Sequence, residues 1–260
     1  MKIATWNVNS LTVRLPQVLA WLDQNSIDIL CIQELKQVNE KFPKDAFQEL
    51  GYDAVWTGQK TYNGVAILSR SSLDDVIVNN PLYPDTQQRL ITATCQTTEG
   101  PLRVICAYCP NGSSLDSEKY EYKLEWYAAL NQFVEAQMKL FPNLAICGDY
   151  NIAPEDRDVH AKYTGDILIS PKERAALQAL SSLGLSDSFR LFEQEEKLFS
   201  WWDYRMMGFR RNAGLRIDHI LLSSPLVQHC TASVIDKAPR GNEQPSDHAP
   251  VVATLSLSFA

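Results

Sequence analysis

With 260 residues, 45% of them hydrophobic, the chain can bury a sizeable core, and no apolar run approaches the ~18 residues that would mark a membrane span. A net charge of −7 argues against a surface that binds nucleic acid everywhere, so any such contact must come from positive charge gathered in one place. The amino terminus, Met1 to Asn7, lacks the apolar h-region of a signal peptide, which predicts a cytoplasmic protein, nucleoid-associated if bacterial.

Lys2 to Trp6 reads as a strand and Val13 to Asn25 as a helix with apolar residues at helical spacing. Ile27 to Ile32 is a second buried strand, ending in Gln33 and Glu34. Phe42 to Leu50 is a short helix stopped by Gly51. Tyr52 to Thr57 and Asn63 to Ser69 read as paired strands, and Ile91 to Thr97 and Leu102 to Tyr108 as a hairpin across Thr98-Glu99-Gly100-Pro101. Ser117 to Leu140 is the longest helix. Leu144 to Cys147 is a continuous apolar run, the mark of a fully buried strand, and it breaks abruptly into Gly148, Asp149, Tyr150 and Asn151. After a polar loop over Ala153 to Ser170, Pro171 to Leu183 is a helix with Pro in its first turn and Gly184 as its cap. Strands follow at Leu215 to Ser223, Thr231 to Asp236 and Ala249 to Ser258.

The six cysteines sit mostly inside apolar runs, which fits buried, reduced thiols. Cys106-Ala-Tyr-Cys109 runs along a strand with no second ligand pair, so neither zinc nor redox chemistry is expected of it. Strands in adjacent pairs with helices between the pairs predict one domain, residues 1–260, of two packed mixed sheets with helices outside.

Polar groups recur at the strand ends. Asp149 and Asn151 stand two apart, so in extended geometry both point to one side. Such a pair can hold a water, a metal ion or a phosphate, although Gly, Asp and Asn also form turns. The first strand ends in Asn7, the second in Glu34, and a later one in Tyr108, with Asn111 just beyond. Asp218 interrupts an apolar run, and Asp247-His248 stands just before the last strand. A buried carboxylate is costly unless paired or metal-bound, so Glu34 and Asp218 need partners, and one shared site supplies them all. Hard oxygen ligands without a Cys/His cluster suit Mg²⁺ or Mn²⁺. With no G-x-S-x-G elbow and no P-loop, the set points to metal-assisted hydrolysis at phosphorus. A carboxylate would deprotonate water, and a carboxylate-paired histidine would hold a phosphate oxygen.

Residues 6–9 (Trp-Asn-Val-Asn), 33–36 (Gln-Glu-Leu-Lys), 63–70 (Asn-Gly-Val-Ala-Ile-Leu-Ser-Arg), 108–112 (Tyr-Cys-Pro-Asn-Gly), 148–154 (Gly-Asp-Tyr-Asn-Ile-Ala-Pro), 200–205 (Ser-Trp-Trp-Asp-Tyr-Arg), 214–221 (Gly-Leu-Arg-Ile-Asp-His-Ile-Leu) and 246–251 (Ser-Asp-His-Ala-Pro-Val) together resemble exonuclease III. That is the AP-endonuclease branch of the endonuclease/exonuclease/phosphatase superfamily, and the match runs through the whole chain in order. The resemblance implies a DNase I-like, four-layer α/β sandwich with the site at one end of the two sheets. It implies Mg²⁺-dependent cleavage, with Mn²⁺ able to substitute, of double-stranded DNA at abasic sites, nicks or 3′ ends; a monomer is the default expectation. Carried over by position, Glu34 is the main metal ligand, with Asn7 beside it and Asp247 in the same shell. Asp149 activates water, and Asn151 positions water and phosphate. Tyr108 bonds the phosphate or the leaving oxygen, His248 clamps a phosphate oxygen and is oriented by Asp218, and Asn111 supports the phosphate region.

Positive charge concentrates in Phe199 to Arg216, which holds Arg205, Arg210, Arg211 and Arg216 against Asp203, with aromatics interleaved. Trp201, Arg205 and Arg216 are the expected DNA contacts there, with Trp or Met as a wedge at an extruded position and one of Trp201 and Trp202 given to the core. Lys119, with Lys36, Arg89 and Lys123, offers further phosphate contacts. The loop from Glu155 to Ser170 is acidic and departs most from the family pattern. A DNase I-like nuclease or a phosphoinositide phosphatase-like enzyme shares the Glu, Asp-x-Asn and Asp-His skeleton, but segments 200–205 and 214–218 favour the repair branch. A non-enzymatic damage-binding module would lack one of the chemical residues, and each expected position is filled.

Overall fold

The computed structural model describes residues 1–260. In chain order its strands are β1 (Lys2–Asn7), β2 (Ile29–Gln33), β3 (Asp53–Thr57), β4 (Val65–Ser69), β5 (Asp74–Val78), β6 (Leu90–Thr97), β7 (Gly100–Tyr108), β8 (Asn143–Asp149), β9 (Leu185–Asp187), β10 (Trp201–Trp202), β11 (Gly214–Leu215), β12 (Asp218–Ser223), β13 (Cys230–Ile235) and β14 (Val251–Leu255). The helices are α1 (Leu11–Asn25), α2 (Lys44–Glu49), α3 (Glu118–Leu140), α4 (Pro171–Ser181) and α5 (Ser224–Val227).

Two six-stranded mixed sheets form, ordered β13-β14-β1-β2-β4-β3 and β5-β6-β7-β8-β12-β9. Alternation along each strand decides which layer a side chain joins. In β8, Ala145 and Cys147 enter the core between the sheets with Ile3, Ile67, Val104 and Ile220. Leu144 and Ile146 face the opposite way, against Leu130, Phe133 and Val134 of α3. On the first sheet, Trp6 and Leu30 meet Val18 and Leu22 of α1 and Phe47 of α2. The expected four-layer α/β sandwich is therefore the observed fold. Covered on both faces, the central strands tolerate apolar residues at every position, which is why they read as continuous runs.

Helix ends follow their sequence signals. Ser117 accepts from the Tyr120 N–H at the start of α3, and Ser170, Pro171 and Glu173 form a capping box with Pro at the first turn of α4. The helix expected from Val13 begins at Leu11, where Ser10 accepts from the Val13 N–H. Strands β5 and β9 carried no readable signal. The first is an edge strand whose Asp74, Asp75 and Val76 are exposed, and the second has only three residues. No helix is long and apolar enough to cross a membrane.

Topology sets the site. β1 and β2 are parallel, as are β7 and β8, so within each sheet the carboxyl ends of the two strands coincide. β12 runs antiparallel to β8, and β14 antiparallel to β1, so both begin at that same end.

Candidate active site

Asn7 closes β1, Tyr108 closes β7 and Asp149 closes β8. Glu34 follows β2 at φ 58 and Asn151 follows β8 at φ 50, left-handed conformations that cost a non-glycine residue energy and turn the chain sharply at the strand ends. Gly148 lies so close to β7 that a Cβ there would collide with the Ala107 carbonyl. The β8–β12 register then places Asp218 directly opposite Asp149.

One amide joins the two sheets. Asn7 Nδ2 donates to Glu34 Oε2 at 2.6 Å and to Asp149 Oδ2 at 2.9 Å, while its Oδ1 accepts from the Asn9 N–H at 3.0 Å. Asp149 Oδ1 accepts from the Asn151 N–H at 3.0 Å. His248 Nδ1 lies 2.8 and 3.1 Å from the two Asp218 oxygens, and its Nε2 lies 3.6 Å from Asp149 Oδ2. Asn151 Nδ2 donates to the Cys109 carbonyl at 2.8 Å, and Asn111 Nδ2 to Asn151 Oδ1 at 3.4 Å. The Tyr108 ring packs beneath the Arg89 guanidinium, 4.8 Å away.

Burial pushes the Asp149 carboxyl up to about 7, against the downward pull of the His248 charge. Burial alone would lower His248, but the carboxylates of Asp218 and Asp149 outweigh it and raise the imidazole to about 10. It is therefore a cation at neutral pH, with Nδ1–H given to Asp218 and Nε2–H directed into the site. Burial, reinforced by the Glu34 charge, holds the Tyr108 hydroxyl well above its usual value, so it remains a donor.

Ligand atoms of Glu34, Asp149 and His248 all lie within 4.8 Å of one another. Because His248 is a donor, the pair that fits a hard divalent cation is Glu34 with Asp149, two carboxylates that need positive charge between them. Asp247 stands one layer out: Oδ1 accepts from Asn9 Nδ2 at 3.2 Å and Oδ2 from Trp201 Nε1 at 3.0 Å.

Residues 4–248 match the endonuclease/exonuclease/phosphatase family. The chain belongs to that family. An exodeoxyribonuclease III from Haemophilus influenzae is 38% identical, over 97% of this chain and 99% of that protein. A 3′ phosphatase from Neisseria, solved with a product DNA hairpin, is 47% identical and superposes with a TM-score of 0.94 over 98% of this chain and 99% of its own. An AP endonuclease from Archaeoglobus fulgidus is 39% identical with a TM-score of 0.92, covering 98% of this chain and 99% of its own.

Within this member of the family, two of the expected DNA contacts are corrected. Arg216 is only 1% exposed and bonds Asp158 at 2.7 Å, Asp187 at 2.8 Å and His219 at 3.1 Å. Lys123 is fully buried, paired with Glu173 and donating to the carbonyls of Asn111 and Asn151. Both cations are spent inside the fold and cannot reach a phosphate. Arg205 is exposed and paired with Asp203, Lys119 is exposed, and Lys36 reaches Asn9 Oδ1 at 2.6 Å. Trp201 is half-buried, and Trp202 is the tryptophan that enters the core, against Phe199 and Phe209. Sequence reading missed Ser246, whose Oγ donates to the Asn7 carbonyl at 2.6 Å and accepts from the His248 N–H at 3.1 Å. It also missed Ser200, which accepts from the N–H groups of Ile217 and Asp218. Both serines open segments that resemble the family pattern, but nothing in their local spacing gives them a role; only contacts distant in the sequence reveal their work.

Proposed function

We propose that this chain is a metal-dependent DNA-repair phosphodiesterase of the exonuclease III type, hydrolysing the bond 5′ to abasic sites and processing blocked or ordinary 3′ ends. The observation that carries the reading is the meeting of Glu34, Asp149 and the His248–Asp218 pair across one bridging amide, Asn7 Nδ2. The relatives named above supply the substrate class: an exodeoxyribonuclease, a 3′ phosphatase seen with DNA and an AP endonuclease.

Glu34 and Asp149 would hold Mg²⁺, with Mn²⁺ as a substitute, and the bound ion supplies charge neutralisation at the phosphate and the leaving oxygen. Asp149, ionised when the metal is held, accepts a proton from the attacking water, and Asn151 fixes that water beside it. His248 directs Nε2–H at a phosphate oxygen, and Asp218 keeps the ring charged and oriented. Tyr108 donates to the phosphate or to the departing oxygen. Attack is in line, leaving a 3′-hydroxyl and a 5′-phosphate. Exposed Met206 and Met207, both at positive φ, form a ridge suited to wedging at an unpaired position.

The test uses two labelled duplexes, one with an internal abasic analogue and one with a 3′-phosphate, each with and without Mg²⁺. The proposal requires Mg²⁺-dependent processing of at least one; no cleavage of either would sink it.

A further inference from the structure

Behind the catalytic hollow, three consecutive backbone carbonyls are each held by a buried side chain. The Tyr150 carbonyl accepts from the Tyr127 hydroxyl, that of Asn151 from Lys123 Nζ at 2.7 Å, and that of Ile152 from His219 Nε2 at 2.9 Å. The donors belong to α3 and β12, and none is more than 2% exposed. They hold the stretch that leaves β8 just after Asp149 and carries Asn151 in its left-handed turn. Burial lowers the His219 imidazole below its usual value, so it and Tyr127 are neutral, and Lys123 alone brings a full charge to this stretch.

An ammonium has three protons to give, and here each is used. Lys123 Nζ donates to the Asn151 carbonyl, to the Asn111 carbonyl at 3.1 Å and to Glu173 Oε1. Asn111 belongs to the loop after β7 and Asn151 to the loop after β8, so one nitrogen ties the two loops together. Their side chains meet as well, but the Asn111 Nδ2 to Asn151 Oδ1 bond is 3.4 Å long, too weak to fix the pair by itself. The lysine stem lies against the first loop: a Cβ on Gly112 would come within 3.0 Å of its Cδ. Glu173 neutralises the ammonium and is itself held by the N–H groups of Leu168 and Ser170.

Packing alone does not call for a charge at this place. A buried ion pair adds little over an apolar pair of the same volume, so stability is a poor reason for this one. Without the ammonium, two carbonyls lose their donor inside the protein, a cost that is relieved by turning a peptide toward water. The peptides free to turn are those of Asn111 and Asn151. A shift of about 1 Å in a group that fixes a reactant can cost about 10²-fold in rate.

We propose that Lys123 is a positioning residue: its buried ammonium sets the separation of Asn111 and Asn151, and through them the place of the attacking water. The inference rests on the nuclease reading for its reaction, but the clamp is observable without catalysis. Lys123→Met removes the donors and keeps the stem, and Glu173→Gln added to it spares the fold a stranded carboxylate. Arg103→Met is the control, since this arginine is also buried but bonds Gln137, Thr94 and the Asp75 carbonyl toward the other end of β7. Single-turnover cleavage of the abasic and 3′-phosphate duplexes at saturating Mg²⁺ is measured beside DNA affinity in chelator, urea stability and hydrogen exchange of the Asn151 amide. The proposal expects the Lys123→Met/Glu173→Gln variant to cleave about 10–100-fold more slowly, with DNA affinity little changed and the Asn151 amide exchanging faster. Arg103→Met should lose stability and keep both the rate and the slow exchange. In an Asn151→Ala background the Lys123→Met/Glu173→Gln pair should add little further loss, because its effect passes through that residue. Should Lys123→Met unfold the protein, Lys123→Gln with Glu173→Gln carries the same comparison. A rate loss no greater than that of Arg103→Met, or one retained in full in the Asn151→Ala background, would overturn the proposal. If the amide loosens yet the wild type cleaves neither duplex, the clamp stands and the nuclease reading falls.

Discussion

Glu34 and Asp149 share a single donor: Nδ2 of Asn7 lies 2.6 Å from one carboxylate and 2.9 Å from the other. The amide fixes the spacing of two like charges without cancelling either, which keeps them available to a cation. Asn7→Ala removes that strut. Outer partners of metal ligands typically contribute about 10–100-fold to affinity or activity, and a loss of that size is expected here. Titrating the cleavage rate against Mg²⁺ checks it, because the half-saturating concentration should rise.

Loading with metal should release a proton. In the metal-free protein Asp149 titrates at about 7, so below that pH an incoming ion must displace a proton from it. Metal affinity therefore falls as pH drops below 7 and levels off above it. Calorimetric titrations in two buffers of different ionisation enthalpy should show proton release at pH 6 and little at pH 8.

Asp218→Asn leaves His248 in place but removes the charge that most sustains its imidazolium. In the wild type the cation persists to about pH 10, so the phosphate clamp is fully present at neutral pH. In the variant the ring should titrate well below that value, and the clamp is lost as pH rises. Losing a preformed donor to the reacting oxyanion costs about 10²–10³ in kcat. A pH–rate profile whose alkaline limb moves to lower pH, with kcat falling more than KM changes, distinguishes this from loss of fold.

Arg216 should matter to stability. Asp158 and Asp187 resist burial, yet Arg216 holds both carboxyls below their usual range. Arg216→Met strands Asp187 and leaves Asp158 with Arg190 alone, at a cost of about 3–5 kcal/mol in urea unfolding. A carboxyl held low in the folded state stabilises it above the ordinary carboxylate range, and the benefit is lost as pH falls through the folded value. The wild type should therefore lose stability steeply below about pH 4, and the variant less so.

How much of this was readable depends on the range of the interaction. Glu34, Asp149 and Asp218 were legible because a carboxylate at the edge of an apolar run demands a partner, and Gly148 before Asp149 marked a close approach. Arg216 obeyed the same rule, since a guanidinium inside an apolar stretch also needs burial partners. It was read as a DNA contact because its partners, Asp158 and Asp187, lie in a loop and a three-residue strand that carry no periodic signal. Lys123 was misjudged for a related reason: its helix exposes most of its charged side chains, and only the packing of α4, which carries Glu173, shows that this one is enclosed. Strand β5 escaped because its outward residues are solvated and its pattern never alternates.

The central claim is that Asp149 takes the proton from the attacking water while the fold around it is held by other groups. Asp149→Asn preserves shape and can still accept the Asn7 hydrogen bond, but it cannot take up that proton; it also weakens the carboxylate pair that would hold the metal, which saturating Mg²⁺ offsets. Single-turnover cleavage of an abasic-site or 3′-phosphate duplex at saturating Mg²⁺ should fall by about 10²–10⁴-fold, the usual contribution of a positioned base, with DNA affinity in chelator unchanged. A variant that kept most of the wild-type rate would contradict the account.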